Sequence, residues 1–364
     1  MKNLLYSLTA MLLLGACQQT ANPGGSDSTP KPSTPIPAPA FATGADVSWL
    51  SEMEHDGKTF KKKDGTKADC FAVLKDCGVN AIRLRVWVDP TGGWSGKDDM
   101  VNLARRAYEA GLPVMVDFHY SDFFADPSRQ DIPAKWVADK GDVDKMAAHV
   151  TDHTTEVLKA LEAAGVTPAW IQIGNETTVG MLWPLGKIWA VGSETVGGWD
   201  AYAKLYKAGY GAAKAVFPKA LVGAHLNNAY QDRSWWVTEL KNRGGKLDYI
   251  GLSHYPQDPS APENCNALAI AGMKKMYATH TIPVMISEIG VKTQNNETAA
   301  AQCVKEFMTE VKKLSFCSGV FYWEPEVYDW WKPAIYKSLG WGAYDSGAFR
   351  SDGKPSTVMD ALCK

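Results

Sequence analysis

The stretch AWIQIGNETTVG, residues 169–180, runs an apolar segment straight into an amide and a carboxylate. Ala169–Gly174 reads as a short buried strand with one polar interruption, Gln172. Asn175 and Glu176 stand at its end, where a carboxylate is either simply solvated or held in a cleft to exchange a proton. The choice between the two depends on the architecture around this strand.

Seven further short apolar runs share its character: Ala45–Leu50, Ala81–Val88, Val114–Phe118, Ala220–His225, Tyr249–Ser253, Val284–Ser287 and Val320–Trp323. Between them lie segments of helical period. In Val143–Gly165, Met146, Val150, Val157, Leu158 and Leu161 fall near one stripe, and Gly165 is a common kind of helix stop. Regular strand–helix alternation implies parallel strands covered by helices. Eight such units predict an α/β fold, a single (β/α)8 TIM barrel. An open doubly wound sheet would carry a Gly-rich phosphate turn after its first strand. Here the first strand leads into SWLSEMEHDG, residues 48–57, which has no such turn.

In such a barrel the chemistry gathers at the C-terminal strand ends. Those ends offer Asp46, Arg83 with Arg85, His119 with Asp122, Asn175 with Glu176, His225, His254 with Tyr255, Glu288, and Trp323 with Glu324. Glu176 and Glu288 follow the fourth and seventh strands, which face each other across the mouth. Two carboxyls about 5–5.5 Å apart can cleave a glycosidic bond with retention, one protonated and one ionised. Glu288 stays ionised if Arg83 and Tyr255 donate to it, while burial and its negative neighbour keep Glu176 protonated. Glu324 is the rival third carboxylate, or else a brace for the eighth loop. His119 and His254 lack the spacing of a metal pair.

The net charge of −2 gives no basic footprint, so nucleic acid is not an expected partner. MKNLLYSLTAMLLLGAC, residues 1–17, has a basic start, a short apolar run and small residues before Cys17. This reads as a secretion signal with a lipoprotein box, which makes Cys17 the expected lipidation site. The expected domains are a signal peptide over 1–16, a disordered Pro/Ser/Thr-rich spacer over 17–43, and the barrel over 44–364. The membrane is then reached through the N-terminal lipid only. The expected location is the cell surface or the periplasmic face of a bacterial outer membrane, and the expected state is a monomer. Six cysteines remain; they are expected to be mostly buried thiols, with room for one bridge nearer the C-terminus.

The segments GADVSWLSEMEHDGKTF (44–60), CGVNAIRLRVWVDP (77–90), VDFHYSDFFADPSRQDIPAKW (116–136), IQIGNE (171–176) and GVFYWEP (319–325) together resemble the endo-β-1,4-galactanases of glycoside hydrolase family 53. That resemblance implies retaining endo-hydrolysis of β-1,4-galactan, the side chain of pectin and of type I arabinogalactan. It implies Glu176 as acid/base and Glu288 as nucleophile. It also implies sugar binding or site support by Asp46, Arg83, His119, Asp122, Asn175, His254, Tyr255 and Trp323. No cofactor is required. A structural calcium remains open, with Asp329 and Asp345 as scattered candidates. The competing readings are an endo-glycanase of the same clan acting on mannan or glucan, and a non-catalytic glycan-binding lipoprotein.

Overall fold

The computed structural model describes residues 34–256 and 265–364. Cys17 and the expected signal segment lie outside the described residues. Eight parallel strands close into a barrel: β1 (Ala42–Asp46), β2 (Ala81–Val86), β3 (Val114–Phe118), β4 (Trp170–Ile173), β5 (Leu221–Leu226), β6 (Tyr249–His254), β7 (Val284–Ile289) and β8 (Cys317–Trp323). Each pairs with the next along the chain, and β8 closes on β1. Around them lie α1 (Leu50–His55), α2 (Cys70–Cys77), α3 (Lys97–Glu109), α4 (Val143–Ala163), α5 (Gly198–Val216), α6 (Ser234–Asn242), α7 (Asn266–His280), α8 (Glu297–Val311), α9 (Ala334–Leu339) and α10 (Thr357–Cys363). Among the described residues no helix is long and apolar enough to cross a membrane.

Local sequence explains most of these elements. Asp142 caps α4 by accepting from the backbone N–H of Asp144 and Lys145, and the Met146–Leu161 stripe is buried against the barrel. The first strand departs from the sequence reading. It spans Ala42–Asp46, and Leu50 opens a helix instead of ending a strand. Asp46 Oδ1 accepts from Ser48 N and Oγ, which turns the chain at once. Val47 and Trp49 are buried in that turn, and buried apolar residues in a turn mimic a strand when read in sequence. Residues before the expected boundary at 44 also pack on the barrel. Tyr108 Oη on α3 accepts from Ile36 N and donates to Thr34 O, tying part of the Pro-rich segment to the barrel. The six cysteines are free thiols; Cys70, Cys303 and Cys317 are buried, whereas Cys265 is exposed.

Inside the barrel Ala42, Ala81, Met115, Trp170, Tyr249, Met285 and Phe321 form an apolar plug, separate from the main core between strands and helices. Small residues make room for its rings. A Cβ at Gly44 would collide with the Phe321 ring, and one at Gly223 would sit 2.8 Å from the ring of Tyr249. The plug seals the lower lumen, so polar side chains at the next inward positions are held above it. Phe321→Ala should leave a cavity that this rigid wall cannot fill. The expected cost is about 3–5 kcal/mol, measurable as a lower urea midpoint at unchanged slope.

Candidate active site

A layer of buried polar groups lies between the plug and the open mouth. Its centre is Arg83, 1% exposed. One amino group of its guanidinium reaches Asp46 Oδ2 at 2.7 Å and Glu288 Oε1 at 2.9 Å. The other reaches Asp117 Oδ2 at 2.8 Å and Asn175 Oδ1 at 2.9 Å. Strand register makes this convergence: Asp46 pairs with Arg83, and Asp117 pairs with both Arg85 and Gln172 on its neighbours. Burial pushes the Asp117 carboxyl up, but Arg83 and His119 outweigh it and hold it at about 2. Gln172 binds the other oxygen of Asp117. Ala125 N donates to His119 Nδ1, so the His119 proton sits on Nε2 and points at Asp117, 2.9 Å away.

The two glutamates meet above this layer. Glu176, Glu288 and His225 each place a side-chain atom within 4.8 Å of the others. Glu288 is buried and accepts from Arg83 and from Tyr255 Oη at 2.6 Å. Glu176 lies at the cleft mouth in a left-handed backbone conformation, φ 45°, and accepts from Ser253 Oγ at 2.6 Å. Burial and then the neighbouring Glu288 raise its pKa to about 8, against a smaller opposing effect of Ser253. Glu288 is also raised by burial, but Arg83 and Tyr255 both favour its charged form. As the pair titrates, Glu288 therefore loses the first proton and Glu176 keeps the second.

A hydrogen-bond chain runs behind Glu176. Asn175 donates to Ala125 O, which turns its Oδ1 toward His225 Nδ1 at 2.8 Å. Burial holds His225 neutral, well below its usual pKa. With the proton on Nδ1, His225 Nε2 lies 2.8 Å from Ser253 Oγ, whose single proton goes to Glu176 when that carboxyl is ionised and to Nε2 when Glu176 holds its own proton. Both ring nitrogens are thus engaged, and the Glu176–His225–Glu288 group is bonded as an acid–base site instead of a metal-ligand set. The cleft holds about 190 Å³ and is lined also by His119, Asn175, Tyr255 and Trp323.

Two expected site residues are placed otherwise, and a third, Asp46, takes the supporting one of its two expected roles. His254 faces the outer helices, with Nε2 2.8 Å from Asn266 Oδ1 and its ring 4.6 Å from Phe307. Tyr249 of the plug and Ser253 lie four residues apart on β6, so the alternation of strand side chains turns Ser253 inward and His254 outward. Asp122 spends both oxygens on the backbone N–H of Asp89 and Ala134, so it braces loops. Asp46 is fully buried under Arg83 and supports it from below. Arg85 pairs with Glu324 at 2.7 Å beneath the rings of Trp49 and Phe124, which removes Glu324 from the cleft. Asp117, Gln172, His225 and Ser253 were missed as a network. Their signal was polarity at inward positions of otherwise apolar strands. The calcium candidates Asp329 and Asp345 pair with lysines, Lys58 at 2.9 Å and Lys292 at 3.1 Å.

Known proteins resemble this chain in sequence and fold. A protein of Niallia circulans, described only by its position in the bgaB 5′ region, is 36% identical over 220 residues, covering 60% of this chain and 59% of that protein. An arabinogalactan endo-β-1,4-galactanase of Cellvibrio japonicus is 30% identical over 356 residues, covering 89% of this chain and 87% of its own. A solved structure of fungal β-1,4-galactanases superposes with a TM-score of 0.76 at 27% identity, covering 88% of this chain and 98% of that one. The family model described as glycosyl hydrolase family 53 matches residues 42–306, a span that holds β1 to β7 and both glutamates of the cleft. With barrel, carboxylate pair and relatives in agreement, the chain belongs to glycosyl hydrolase family 53.

Proposed function

We propose that this chain hydrolyses internal β-1,4-galactosidic bonds of galactan, including type I arabinogalactan, by a retaining double displacement. The observation that carries the chemistry is the meeting of Glu176 and Glu288, whose oxygens lie within 4.8 Å of each other with opposite sets of partners. A retaining pair stands about 5–5.5 Å apart, which leaves no room for the extra water of an inverting reaction. The substrate class is supported by the galactanase relatives.

In this reading Glu288, held ionised by Arg83 and Tyr255, attacks the anomeric carbon. Glu176 gives its proton to the leaving oxygen. Once the glycosyl–enzyme bond forms, the charge of Glu288 is gone. Glu176 then loses the main electrostatic reason to keep a proton and can take one from water. The Ser253 hydroxyl suits both stages, since it can accept from the carboxylic acid or donate to the carboxylate. Asn175 has a second amide N–H beyond the one given to Ala125, and this meets the hydroxyl beside the reacting carbon. Trp323, packed 4.8 Å from Tyr344 and 6.0 Å from Phe124, forms the floor under the sugar. Arg83 supports the nucleophile directly, and His119 acts behind it through Asp117.

The apolar segment ending at Cys17 supports export as a lipoprotein tethered by Cys17 at the outer membrane, which suits a polymer too large to enter a cell. The protein acts as a monomer, and its cleavage chemistry needs no organic cofactor or metal. Chelator should accordingly leave galactan cleavage by the folded protein unchanged.

Digestion of linear galactan with product sizing is expected to show a falling spread of oligosaccharides, while mannan and glucan stay intact. Cleavage of mannan at a similar rate would point to another endo-glycanase of the clan. The first products seen by NMR should be β-anomers; initial α-anomers would contradict retention. Glu288→Ala should lower kcat by at least about a thousandfold while galactan still binds, and an active variant would reject the assigned nucleophile. The alkaline limb of kcat/KM should fall near pH 8, where Glu176 loses the proton it must donate. In Glu288→Gln the Glu176 pKa should drop, because a negative neighbour has been removed; a carbon-detected NMR titration reads this directly.

A further inference from the structure

The same barrel face carries a second cavity of about 400 Å³, larger than the cleft that holds the glutamates. Its walls come from the loops after β1, β2 and β3 and from α9. Trp49, Trp87, Trp94 and Phe123 supply most of its aromatic surface. The Glu52 carboxylate lines it and is only 3% exposed. Glu52 Oε1 accepts from Ala334 N at 2.8 Å, and among the described residues no donor reaches Oε2. Burial raises the Glu52 pKa, as expected of a carboxyl with one oxygen unserved. In the same wall the Trp87 indole N–H, also buried, has no acceptor.

An aromatic wall with a carboxylate oxygen to spare suits a ligand with hydroxyls. Aromatic faces take the C–H patches of a pyranose while a carboxylate oxygen accepts from a sugar hydroxyl. The cavity lies close to the cleft, with the Phe124 ring packed between them. Trp323 at the cleavage point lies 6.0 Å from Phe124, and Phe124 lies 5.2 Å from Trp87 in the cavity wall. Asp122 fits this picture as a builder of the wall, with both oxygens already committed to backbone.

We propose that this pocket, walled by Trp87, Trp94 and Phe123 with Glu52 as the acceptor, holds a galactosyl residue of the chain remote from the scissile bond. The inference rests on the galactan reading above and adds a site that gives long chains their grip. Short substrates end before it.

The test is calorimetric titration of galactohexaose and galactobiose into Glu288→Ala, alone and combined with Trp94→Ala or with Glu52→Gln. The glutamine keeps an oxygen for Ala334 N, so the wall survives if alanine at 94 disturbs folding. The expected result is a roughly tenfold weaker Kd for the hexaose in either combination, with the Kd for the biose moved less than about twofold. Equal weakening for both sugars, or no change for the hexaose, would overturn the pocket as a sugar site. Failure of Glu288→Ala alone to bind the hexaose would instead overturn the galactan reading, and this proposal with it.

Discussion

A cation buried at the centre of the barrel organises everything above it. An unpaired guanidinium in an apolar interior is very costly, so Arg83 has to be met by anions and acceptors. Asp46, Asp117, Glu288 and Asn175 meet it from four other strand ends or the turns that follow them. Each of those groups is in turn desolvated and satisfied by Arg83. The arrangement is therefore mutual: the nucleophile is oriented by the same contact that neutralises the arginine. The negative groups also raise the Arg83 pKa against the effect of burial, so its charge is permanent.

The barrel divides into layers with distinct jobs. The apolar plug around Phe321 and Trp170 gives a rigid and dry base. The ion-paired layer converts that rigidity into fixed positions for oxygen and nitrogen atoms. The rim then carries local strain, since Tyr120, Glu176, Asn228 and Glu324, all just past strand ends, have left-handed backbones without being glycine. Such conformations persist only where surrounding structure determines them, and here they aim side chains into or beneath the mouth. Opposite environments follow for the two glutamates, one beside a cation and a phenol, the other beside a hydroxyl backed by neutral His225.

Much of this was legible in the sequence because strand–helix alternation is a local signal. The runs at Val114 and Tyr249 were recognisable from apolar residues alone, and Glu176 and Glu288 from what directly follows or closes such runs. The failures have physical causes. Val47 and Trp49 are buried in a turn, and burial there looks like a strand. His254 stands at a strand end, but strand side chains alternate, and Ser253, in phase with Tyr249 of the plug, takes the inward face. Asp122 looked like a site residue because it sits in a specific motif, whereas its oxygens serve two backbone amides far apart in sequence.

By itself the sequence determined the order of elements, the closed parallel barrel they imply, and the carboxylates that end its fourth and seventh strands. Periodicity and turn chemistry act over a few residues, and they are written directly in the chain. Only the tertiary structure decided that Arg83 faces Glu288, that Ser253 and not His254 stands by Glu176, and that Arg85 draws Glu324 away from the cleft. Those outcomes depend on strand register and on charges brought together across more than a hundred residues, which no local pattern records.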